Sequence, residues 1–277
     1  MAEPLSVVVI TLNAARQLAP CLQSVAFADD IVIVDAGSTD GTLDIAARHG
    51  ARVLHQDWLG YGPQKQVGVR HARHRWVLCV DADERVSAAL RESVQTELRA
   101  PRYRAYEMAR CNRFMGRWLR HGEGYPDWSL RLFDREHTNW SDDAVHEKVV
   151  TQESVGRLAG DLLHESENGI ADYLAKQNRY TTLQAELLYA KGKSVGMARL
   201  LLSPALRFIK FYFIRLGFLD GVPGLVHIAI GCWNSFTKYA KLRELERNPR
   251  RTPPAPAPLD APTPASSAET QRTLPRR

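Results

Sequence analysis

The chain has 277 residues, of which 44% are hydrophobic and 25% are charged. This composition excludes a disordered or fibrous chain, and the length fits one large domain or two small ones. The four cysteines are scattered without a close pair, which argues against a zinc site or a disulfide framework and favours a reducing compartment. Residues 1–4 lead directly into a strand-like run, so we expect no signal peptide.

The net charge of +6 belongs to the C-terminal third of the chain. Residues 199–243 contain seven Lys or Arg and a single acid, Asp220, whereas residues 1–198 sum to −2. A segment that is both basic and apolar is typical of proteins that bind an anionic membrane surface. No nucleic-acid-binding motif accompanies the charge, so we expect no nucleic acid as a partner.

Strand-like and helix-like patterns alternate over residues 1–100. Short β-branched runs predict strands, and apolar residues at helical spacing predict helices. The predicted strands are Leu5–Ile10, Ile31–Val34, Val53–Leu54 and Trp76–Val80, and the predicted helices are Ala14–Val25, Thr42–His49, Pro63–Ala72 and Ser87–Arg99, the last with Ser87 as its N-cap. This alternation predicts an α/β fold, with a mainly parallel sheet and helices on both faces.

Residues 101–165 differ in composition, being rich in Arg, Trp, Gly and His. Short strands of a mixed sheet are predicted at Tyr106–Cys111, Ser129–Phe133 and Val145–Val150, with long functional loops between them and a helix over residues 170–192. We interpret residues 1–100 and 101–198 as two halves of one domain.

Residues 199–247 are expected to form basic amphipathic helices that associate with a membrane. The helix predicted from Arg199 to Leu216 has one polar stripe, formed by Arg199, Ser203, Arg207 and Lys210. The apolar segment Val222–Phe236 has only fifteen residues, so it fits a position in the membrane interface better than a span. The last 29 residues carry eight of the fifteen prolines, and residues 248–277 are predicted to be a disordered tail.

The most informative motif is Asp81-Ala82-Asp83, followed by Glu84, at the end of the predicted strand Trp76–Val80. Side-chain direction repeats every second residue in an extended chain, so Asp81 and Asp83 can point the same way. Two carboxylates are hard ligands for a divalent cation, and open α/β sheets bind ligands at the carboxyl ends of their strands. The alternative is an ordinary acidic turn.

Two polar residues follow the ends of the first two predicted strands. Asp35 can accept hydrogen bonds from a nucleobase or a ribose hydroxyl, and Gly37 permits a tight turn close to a ligand. The alternative for this loop is a polar turn that caps the next helix. Asn13 is either a ligand-binding residue or a helix N-cap.

Three further positions also have a functional and a structural interpretation. Lys65, in a first helical turn, either holds a phosphate or lies on the surface. His164 is either a third metal ligand or an ordinary surface histidine. A buried Arg131 would need a carboxylate partner, and Asp127 or Glu147 could serve.

Together these motifs resemble the inverting glycosyltransferases of family 2, which have the GT-A fold. The runs that carry this resemblance are Val7–Asn13, Asp35–Asp40 and Asp81–Asp83. A narrower resemblance, to the lipopolysaccharide core β-1,4-glucosyltransferases, is carried by Trp58–Lys65, Asp81–Glu84, Tyr125–Phe133, Val145–Glu147 and Gly217–Gly221. The resemblance covers about residues 5–245, and Gln66 departs from it where asparagine is expected.

The resemblance implies a nucleotide-sugar donor, UDP-glucose, and a heptose of the inner lipopolysaccharide core as the acceptor. Residues 1–100 would bind the nucleotide sugar, and residues 101–198 would bind the acceptor and carry catalysis. The residues that match nucleotide contacts are Thr11, Asn13, Asp35 and Lys65. Asp81 would touch the ribose or the metal, and Asp83 would hold Mg²⁺ or Mn²⁺ on the diphosphate.

An acceptor hydroxyl is a weak nucleophile at neutral pH and needs a carboxylate base. Glu147 is the first candidate, because its motif lies where GT-A enzymes carry the base. Asp127 is the second candidate, followed by Asp142 or Asp143. A lipid-linked glycan acceptor implies a cytoplasmic protein held peripherally on the inner membrane surface.

Three alternatives remain open. A transferase that acts on a polyprenyl phosphate, or on another surface-glycan acceptor, would meet an ionised phosphate that needs no base, but such enzymes usually have clear membrane spans. A nucleotidyltransferase would need a glycine-rich basic loop after the first strand, where Thr11–Ala15 stands instead. A non-enzymatic membrane adaptor would leave the acidic strand ends unexplained.

Overall fold

The computed structural model describes residues 2–141, 148–165 and 169–248. The first part of the chain forms β1 (Leu5–Thr11), α1 (Ala15–Ser24), β2 (Asp30–Asp35), α2 (Thr42–Arg48), β3 (Arg52–His55), α3 (Tyr61–His71), β4 (Trp76–Asp81), β5 (Glu84–Val86) and α4 (Ala88–Glu97). The predicted elements of this region are confirmed, although their ends differ by one or two residues. Ser87 caps α4 as predicted, because its side chain accepts a hydrogen bond from Leu90 N at 3.3 Å.

The second part of the chain adds strands rather than further β–α units. They are β6 (Ala105–Phe114), β7 (Arg117–Trp118), β8 (Asp127–Asp134), β9 (Asn139–Trp140), β10 (Val149–Val150) and β11 (Val155–His164). The strands predicted at Tyr106–Cys111 and Ser129–Phe133 are confirmed and are longer than predicted. The strand predicted at Val145–Val150 is described only from residue 148 onward. The strand β11 was not predicted, because a bulge between Arg157 and Asp161 interrupts its alternating pattern.

One curled sheet has the strand order β3-β2-β1-β4-β8-β6-β11-β5, and β7 pairs with β6. The strands β3, β2, β1 and β4 are parallel to one another. β8 is antiparallel to both of its neighbours, while β6 and β11 are parallel. A mixed, mainly parallel sheet with helices on its faces is therefore present, as predicted.

The hydrophobic core lies on both faces of the sheet, because side chains alternate along each strand. On one face Val7 and Val9 of β1 pack with α1, α2 and α4. On the other face Val8 and Ile10 pack with Val69 of α3. Fully buried parallel strands explain why β1, β2 and β4 are continuous hydrophobic runs that end abruptly in polar residues.

The C-terminal part is helical, with α5 (Ile170–Ala190), α6 (Met197–Phe208), a π-helical turn (Ile209–Ile214), a 3₁₀ turn (Gly217–Asp220) and α7 (Gly221–Arg247). The predicted helix Arg199–Leu216 is thus an α-helix that continues as a π-helical turn, and Leu216 ends it with a left-handed φ of 54°. In the described residues, no single helix is long and apolar enough to cross a membrane. Met197–Ile214 and Gly217–Arg247, bent by 74°, meet that requirement only as a pair.

Candidate functional site

The carboxyl ends of β1, β2 and β4 meet at one edge of the sheet. In the parallel register Thr11 lies beside Asp35, and Ile10 lies beside Asp81. Lys65 reaches the same edge from α3, where its Nζ lies 3.0 Å from Asp81 Oδ1. The structure therefore brings the residues singled out at separate strand ends into one site.

The buried Asp35 carboxylate organises the loop that follows β2. Its Oδ1 accepts hydrogen bonds from Thr11 Oγ1 at 2.8 Å and Ser38 Oγ at 2.5 Å, and its Oδ2 accepts from the backbone N–H groups of Gly37 and Ser38. Burial alone would raise the pKa of Asp35, but these hydrogen bonds outweigh it and lower the pKa. The carboxylate is therefore ionised and fixes the shape of the loop.

Asn13 connects the loops that follow β1 and β2. Its backbone has a left-handed φ of 50°, its Oδ1 accepts a hydrogen bond from Thr39 N at 2.8 Å, and its own N–H donates to Ser38 Oγ at 2.8 Å. The N-cap position of α1 is Ala14, so the helix-cap alternative for Asn13 is wrong. The residue instead ties one side of the site to the other.

Lys65 is 2% exposed, so the surface alternative for this lysine is wrong. Its Nζ lies 4.7 Å from the ring centroid of Trp140, in addition to its contact with Asp81. The helix α3 approaches β1 closely because Gly68 lacks a side chain, since a Cβ there would lie 2.3 Å from Val8 Cγ1. This close packing brings the lysine to the end of β4.

Arg131 approaches Asp81 from β8, opposite Lys65. Its Nη2 donates to Asp81 Oδ2 at 3.1 Å and to Glu84 Oε1 at 3.3 Å. Burial would raise the pKa of Asp81, but Lys65 and Arg131 outweigh burial and hold the pKa well below its usual range. Asp81 is therefore an ionised carboxylate between two buried cations.

The partners of Arg131 correct one expectation. Asp127 was a candidate partner, but Arg131 pairs with Asp81 and Glu84 instead. Both partners lie near the end of β4, and β8 runs antiparallel to β4, so the arginine points toward that end. Glu147, the other candidate partner, lies outside the described residues.

Asp83 lies between β4 and β5, where its Oδ2 is 3.1 Å from His164 Nε2. The other ring nitrogen, Nδ1, is 2.8 Å from Asn112 Oδ1, and the Asn112 amide nitrogen points toward the carbonyl of Gly124 at 3.5 Å. Nδ1 therefore carries a hydrogen, and Nε2 faces the Asp83 carboxylate. A divalent cation would satisfy both groups, because metal-binding histidines typically donate their second N–H to an oxygen in this way.

Among the described residues, the one group of three side chains whose ligand atoms lie close enough together to hold a metal ion is formed by Asp134, Glu136 and His137. It lies away from the strand ends, because Asp134 pairs in register with Trp76 at the start of β4. Asp134 Oδ2 already accepts hydrogen bonds from Arg75 at 2.6 Å and from a second arginine at 2.9 Å. These cations neutralise the carboxylate and oppose metal binding.

Asp127 begins β8 opposite Arg110 of β6. Its side chain is half exposed, and Oδ2 lies 3.9 Å from Arg110 Nη1. The Nε of Arg110 donates to Glu84 Oε1 at 2.7 Å, and Glu84 also accepts from Arg131. Alternating charges therefore connect the half-exposed Asp127 to the buried Asp81.

Three residues of this site were missed by sequence reasoning. Arg110 and Asn112 are two positions apart in β6 and so share a face, a pattern that was readable once the strand was assigned. Trp140 lies over Lys65 and also over Arg131, whose Cζ is 5.7 Å from its ring centroid. Its place is set by tertiary contacts, and no local pattern indicates it. Glu147, Asp142 and Asp143 lie outside the described residues.

The family model described as Glycosyl transferase family 2 matches residues 6–157, more than half of the chain. The matched region includes the strand ends with Thr11, Asp35, Asp81 and Asp83. The chain belongs to glycosyl transferase family 2. This glycosyltransferase is a member of a family in which transfer with inversion is typical.

Two curated relatives cover most of this glycosyltransferase. A lipopolysaccharide core biosynthesis glycosyltransferase, LpsC of Rhizobium meliloti (strain 1021), is 30% identical over 247 residues, which are 86% of this chain and 92% of the relative. An uncharacterized glycosyltransferase of Rickettsia prowazekii (strain Madrid E) is 31% identical over 256 residues, 88% of each chain. The resemblance to lipopolysaccharide core enzymes is therefore confirmed.

Two solved structures are similar to this glycosyltransferase in the path of the backbone. S. aureus TarS 1–349 in complex with UDP-GlcNAc has a TM-score of 0.47 at 14% identity, covering 90% of this chain and 92% of that one. Glucosyl-3-phosphoglycerate synthase from Mycobacterium tuberculosis in complex with Mn²⁺, UDP and glucosyl-3-phosphoglycerate has a TM-score of 0.44 at 16% identity, covering 70% and 82%.

Proposed function

We propose that this glycosyltransferase transfers glucose from UDP-glucose to a heptose of the lipopolysaccharide inner core, with inversion at the anomeric carbon and with a divalent metal. The observation that carries the proposal is the Asp83–His164 pair at the edge where the strands end, together with the Lys65–Asp81 pair at the same edge. Similarity to the lipopolysaccharide core glycosyltransferase of Rhizobium meliloti supports the acceptor class.

The nucleotide is assigned to the edge of the sheet at the loops after β1 and β2. Asp35 fixes one loop, Asn13 ties it to the other, and Thr11 lies between them. Lys65 is assigned to the diphosphate, because an ammonium group has three N–H donors and can hold Asp81 and a phosphate oxygen together. Asp81 holds this lysine in place.

The metal is assigned to Asp83 and His164. Asp81 is assigned to holding Lys65, because Lys65 and Arg131 already neutralise its carboxylate. The nitrogen ligand favours Mn²⁺ over Mg²⁺, which prefers oxygen ligands alone. Bound there, a divalent metal would stabilise the negative charge of the diphosphate leaving group.

In the transfer step the acceptor hydroxyl attacks the anomeric carbon from the face opposite to the diphosphate. The new C–O bond forms as the bond to the diphosphate oxygen breaks, so the configuration inverts. A carboxylate takes the proton of the acceptor hydroxyl, because a hydroxyl at neutral pH is a weak nucleophile and requires a base. We assign this base to Glu147, with Asp127 as the second candidate.

The acceptor is a lipid-linked glycan, so the reaction is assigned to the cytoplasmic surface of the inner membrane, with the enzyme attached peripherally. Residues 199–243 contain seven Lys or Arg and one acid, and this excess of positive charge supports attachment to anionic lipid.

The donor and the metal are tested by thermal shifts with UDP-, ADP-, GDP- and dTDP-sugars, each with and without Mn²⁺. UDP-glucose with Mn²⁺ should give the largest shift, because it is the proposed donor and should bind most tightly. A ligand at 100 times its Kd adds about 2.7 kcal/mol of stability. Asp83→Asn should lose the Mn²⁺-dependent part, whereas Asp44→Asn, at an exposed position of α2, should keep it. No Mn²⁺-dependent shift with any donor would contradict the proposal.

The base is tested by steady-state kinetics of two matched variants. Glu147→Gln should lower kcat by about 10²- to 10⁴-fold, with donor affinity close to that of the wild type. An unchanged kcat in Glu147→Gln, with a loss in Asp127→Asn, would move the base to Asp127. An unchanged kcat in both variants would favour an acceptor that is already ionised, such as a polyprenyl phosphate.

A further inference from the structure

The surface formed by α6 and the two turns after it is largely apolar. Its outward-pointing side chains are Leu201, Leu202, Leu206, Ile209, Phe213, Ile214, Leu216, Phe218 and Leu219, each at least 42% exposed. Leu206 and Ile214 are the most exposed of these, at 63% and 72%. A contiguous exposed patch of this kind marks an interaction site rather than ordinary protein surface.

The helix α7 adds a second apolar stripe to this surface. Val222, Leu225, Ala229 and Trp233 are exposed and follow one another at spacings of three and four residues, so they share one face of the helix. Val222 is 66% exposed and Trp233 is 61% exposed. These residues and those of α6 and its turns are called the apolar surface below.

Two residues of the predicted polar stripe of α6, Ser203 and Arg207, point into the protein instead of into solvent. Ser203 Oγ lies 2.8 Å from Ser235 Oγ of α7, and the Arg207 guanidinium pairs with the Glu123 carboxylate through both oxygens. These two members of the predicted polar stripe have partners inside the fold. Rotating α6 to bury its leucines would break these contacts, so the exposure of the apolar surface is built into the fold.

Within residues 199–243 the exposed charges have one sign. Asp220 is the single acid in residues 199–243, and it is 2% exposed. Its Oδ2 accepts hydrogen bonds from the N–H groups of Arg120 and His121, at 3.0 and 2.8 Å. Lys210 and Arg215 are exposed at the edge of the surface. An apolar centre with a cationic edge complements an anionic lipid bilayer.

The apolar surface is also fixed relative to the active site. The Gly122 N–H donates to the Arg215 carbonyl at 2.8 Å, and a Cβ at Gly217 would lie 2.7 Å from the Phe211 carbonyl oxygen. The bend between α6 and α7 is therefore packed on the loop that leads to Asp127. This packing requires glycine at position 217, where a side chain would clash, and it is held by the hydrogen bonds of the buried Asp220.

We propose that the apolar surface inserts into one leaflet of an anionic bilayer and that Asp220 holds it in register with the acceptor side of the active site. The helices do not cross the bilayer, because Ser203 and Arg207 face the protein and Arg215 stands exposed at the bend. The inference deepens the proposed function, in which the acceptor is lipid-linked. A vesicle assay needs neither donor nor acceptor, so the two can fail independently.

The test is co-flotation of the full chain with vesicles, either of phosphatidylethanolamine and phosphatidylglycerol or of phosphatidylcholine alone. The wild type should float with the anionic vesicles and bind phosphatidylcholine more weakly. The double variant Leu206→Glu/Ile214→Glu should bind the anionic vesicles at least about tenfold more weakly, because it lacks two apolar side chains that would be buried in the lipid. Leu43→Glu is the matched control, since Leu43 is 41% exposed on α2, and it should float like the wild type.

Three outcomes would overturn the proposal. The first is a wild type that does not float with anionic vesicles at low salt. The second is a double variant that floats as well as Leu43→Glu while both keep the same melting temperature. The third is light scattering without lipid that shows a dimer, lost in the double variant, which would assign the apolar surface to a second copy of the chain.

Discussion

At the carboxyl edge of β1, β2 and β4 the protein buries charged side chains, whereas at the apolar surface it exposes hydrophobic ones. Both regions depart from the usual distribution of polar and apolar residues in a water-soluble protein. At the strand edge each buried charge has a partner of opposite sign, such as Lys65 and Asp81. At the apolar surface the leucines lack such partners, while the polar groups behind them are satisfied. In the two proposals above, each region is completed by something it binds, an anionic ligand at the strand edge and lipid at the apolar surface.

The largest expected effect concerns the strand edge. Asp83→Ala should reduce turnover by about 10³-fold, because stabilisation of leaving-group charge by a metal contributes several kcal/mol and each 1.36 kcal/mol is a factor of ten. Folding should change little, since Asp83 is not buried in the core. Transfer assays and thermal melts of Asp83→Ala and of the surface control Asp44→Ala check this. Full activity in Asp83→Ala would remove the metal assignment.

A second prediction concerns the stability of the buried charges. Arg131→Met should lower the free energy of unfolding by about 3–5 kcal/mol, because Asp81 and Glu84 would lose a buried counter-charge. Arg157→Met, at a guanidinium that is 65% exposed, should cost about 1 kcal/mol or less. Denaturant melts compare the two. Equal stability of the two variants would mean that water, and not Arg131, satisfies the carboxylates.

The pH dependence gives a third prediction, at the start of the same strands. Burial would raise the pKa of Asp30, but hydrogen bonds from Arg52 and from other donors lower it to about 2, below its ordinary value of 3.8. As the pH falls, Asp30 is protonated in the unfolded chain before it is protonated in the folded protein. The contribution of ionised Asp30 to the free energy of unfolding is therefore complete above about pH 4 and is lost as the pH falls to about 2. Asp30→Asn should cost about 2 kcal/mol at pH 7 and much less at pH 2. A cost that does not change with pH would contradict this.

The smallest effects sharpen the contrast between neighbouring residues of α6. Arg207→Leu should destabilise the protein by about 1–2 kcal/mol, because Glu123 would lose its charged partner. Leu206→Ser should change stability by no more than about 0.5 kcal/mol, since its side chain is 63% exposed. Melts without lipid test both variants. A larger loss in Leu206→Ser than in Arg207→Leu would show that the helix is not oriented as described.

The sequence predicted the fold class and the strand-end residues well because they depend on local patterns. Hydrophobic runs that end in Thr11, Asp35 and Asp81 indicated buried parallel strands with polar carboxyl ends. For Lys65 and Asn13 the sequence allowed both a functional and a structural role, because local sequence does not determine whether a helix packs against the sheet. Only the packing of Gly68 on Val8 decides that Lys65 is buried.

By itself the sequence determined the parallel sheet, the polar edge with Asp81 and Asp83, and the basic, apolar character of residues 199–243. The tertiary structure decided which charges neutralise one another, that Asp83 meets His164, and that Arg131 pairs with Asp81 and Glu84. It also decided that the apolar side of α6 points outward. The physical reason is that alternation and periodicity are properties of neighbouring residues, whereas burial and pairing depend on segments that are far apart in the chain.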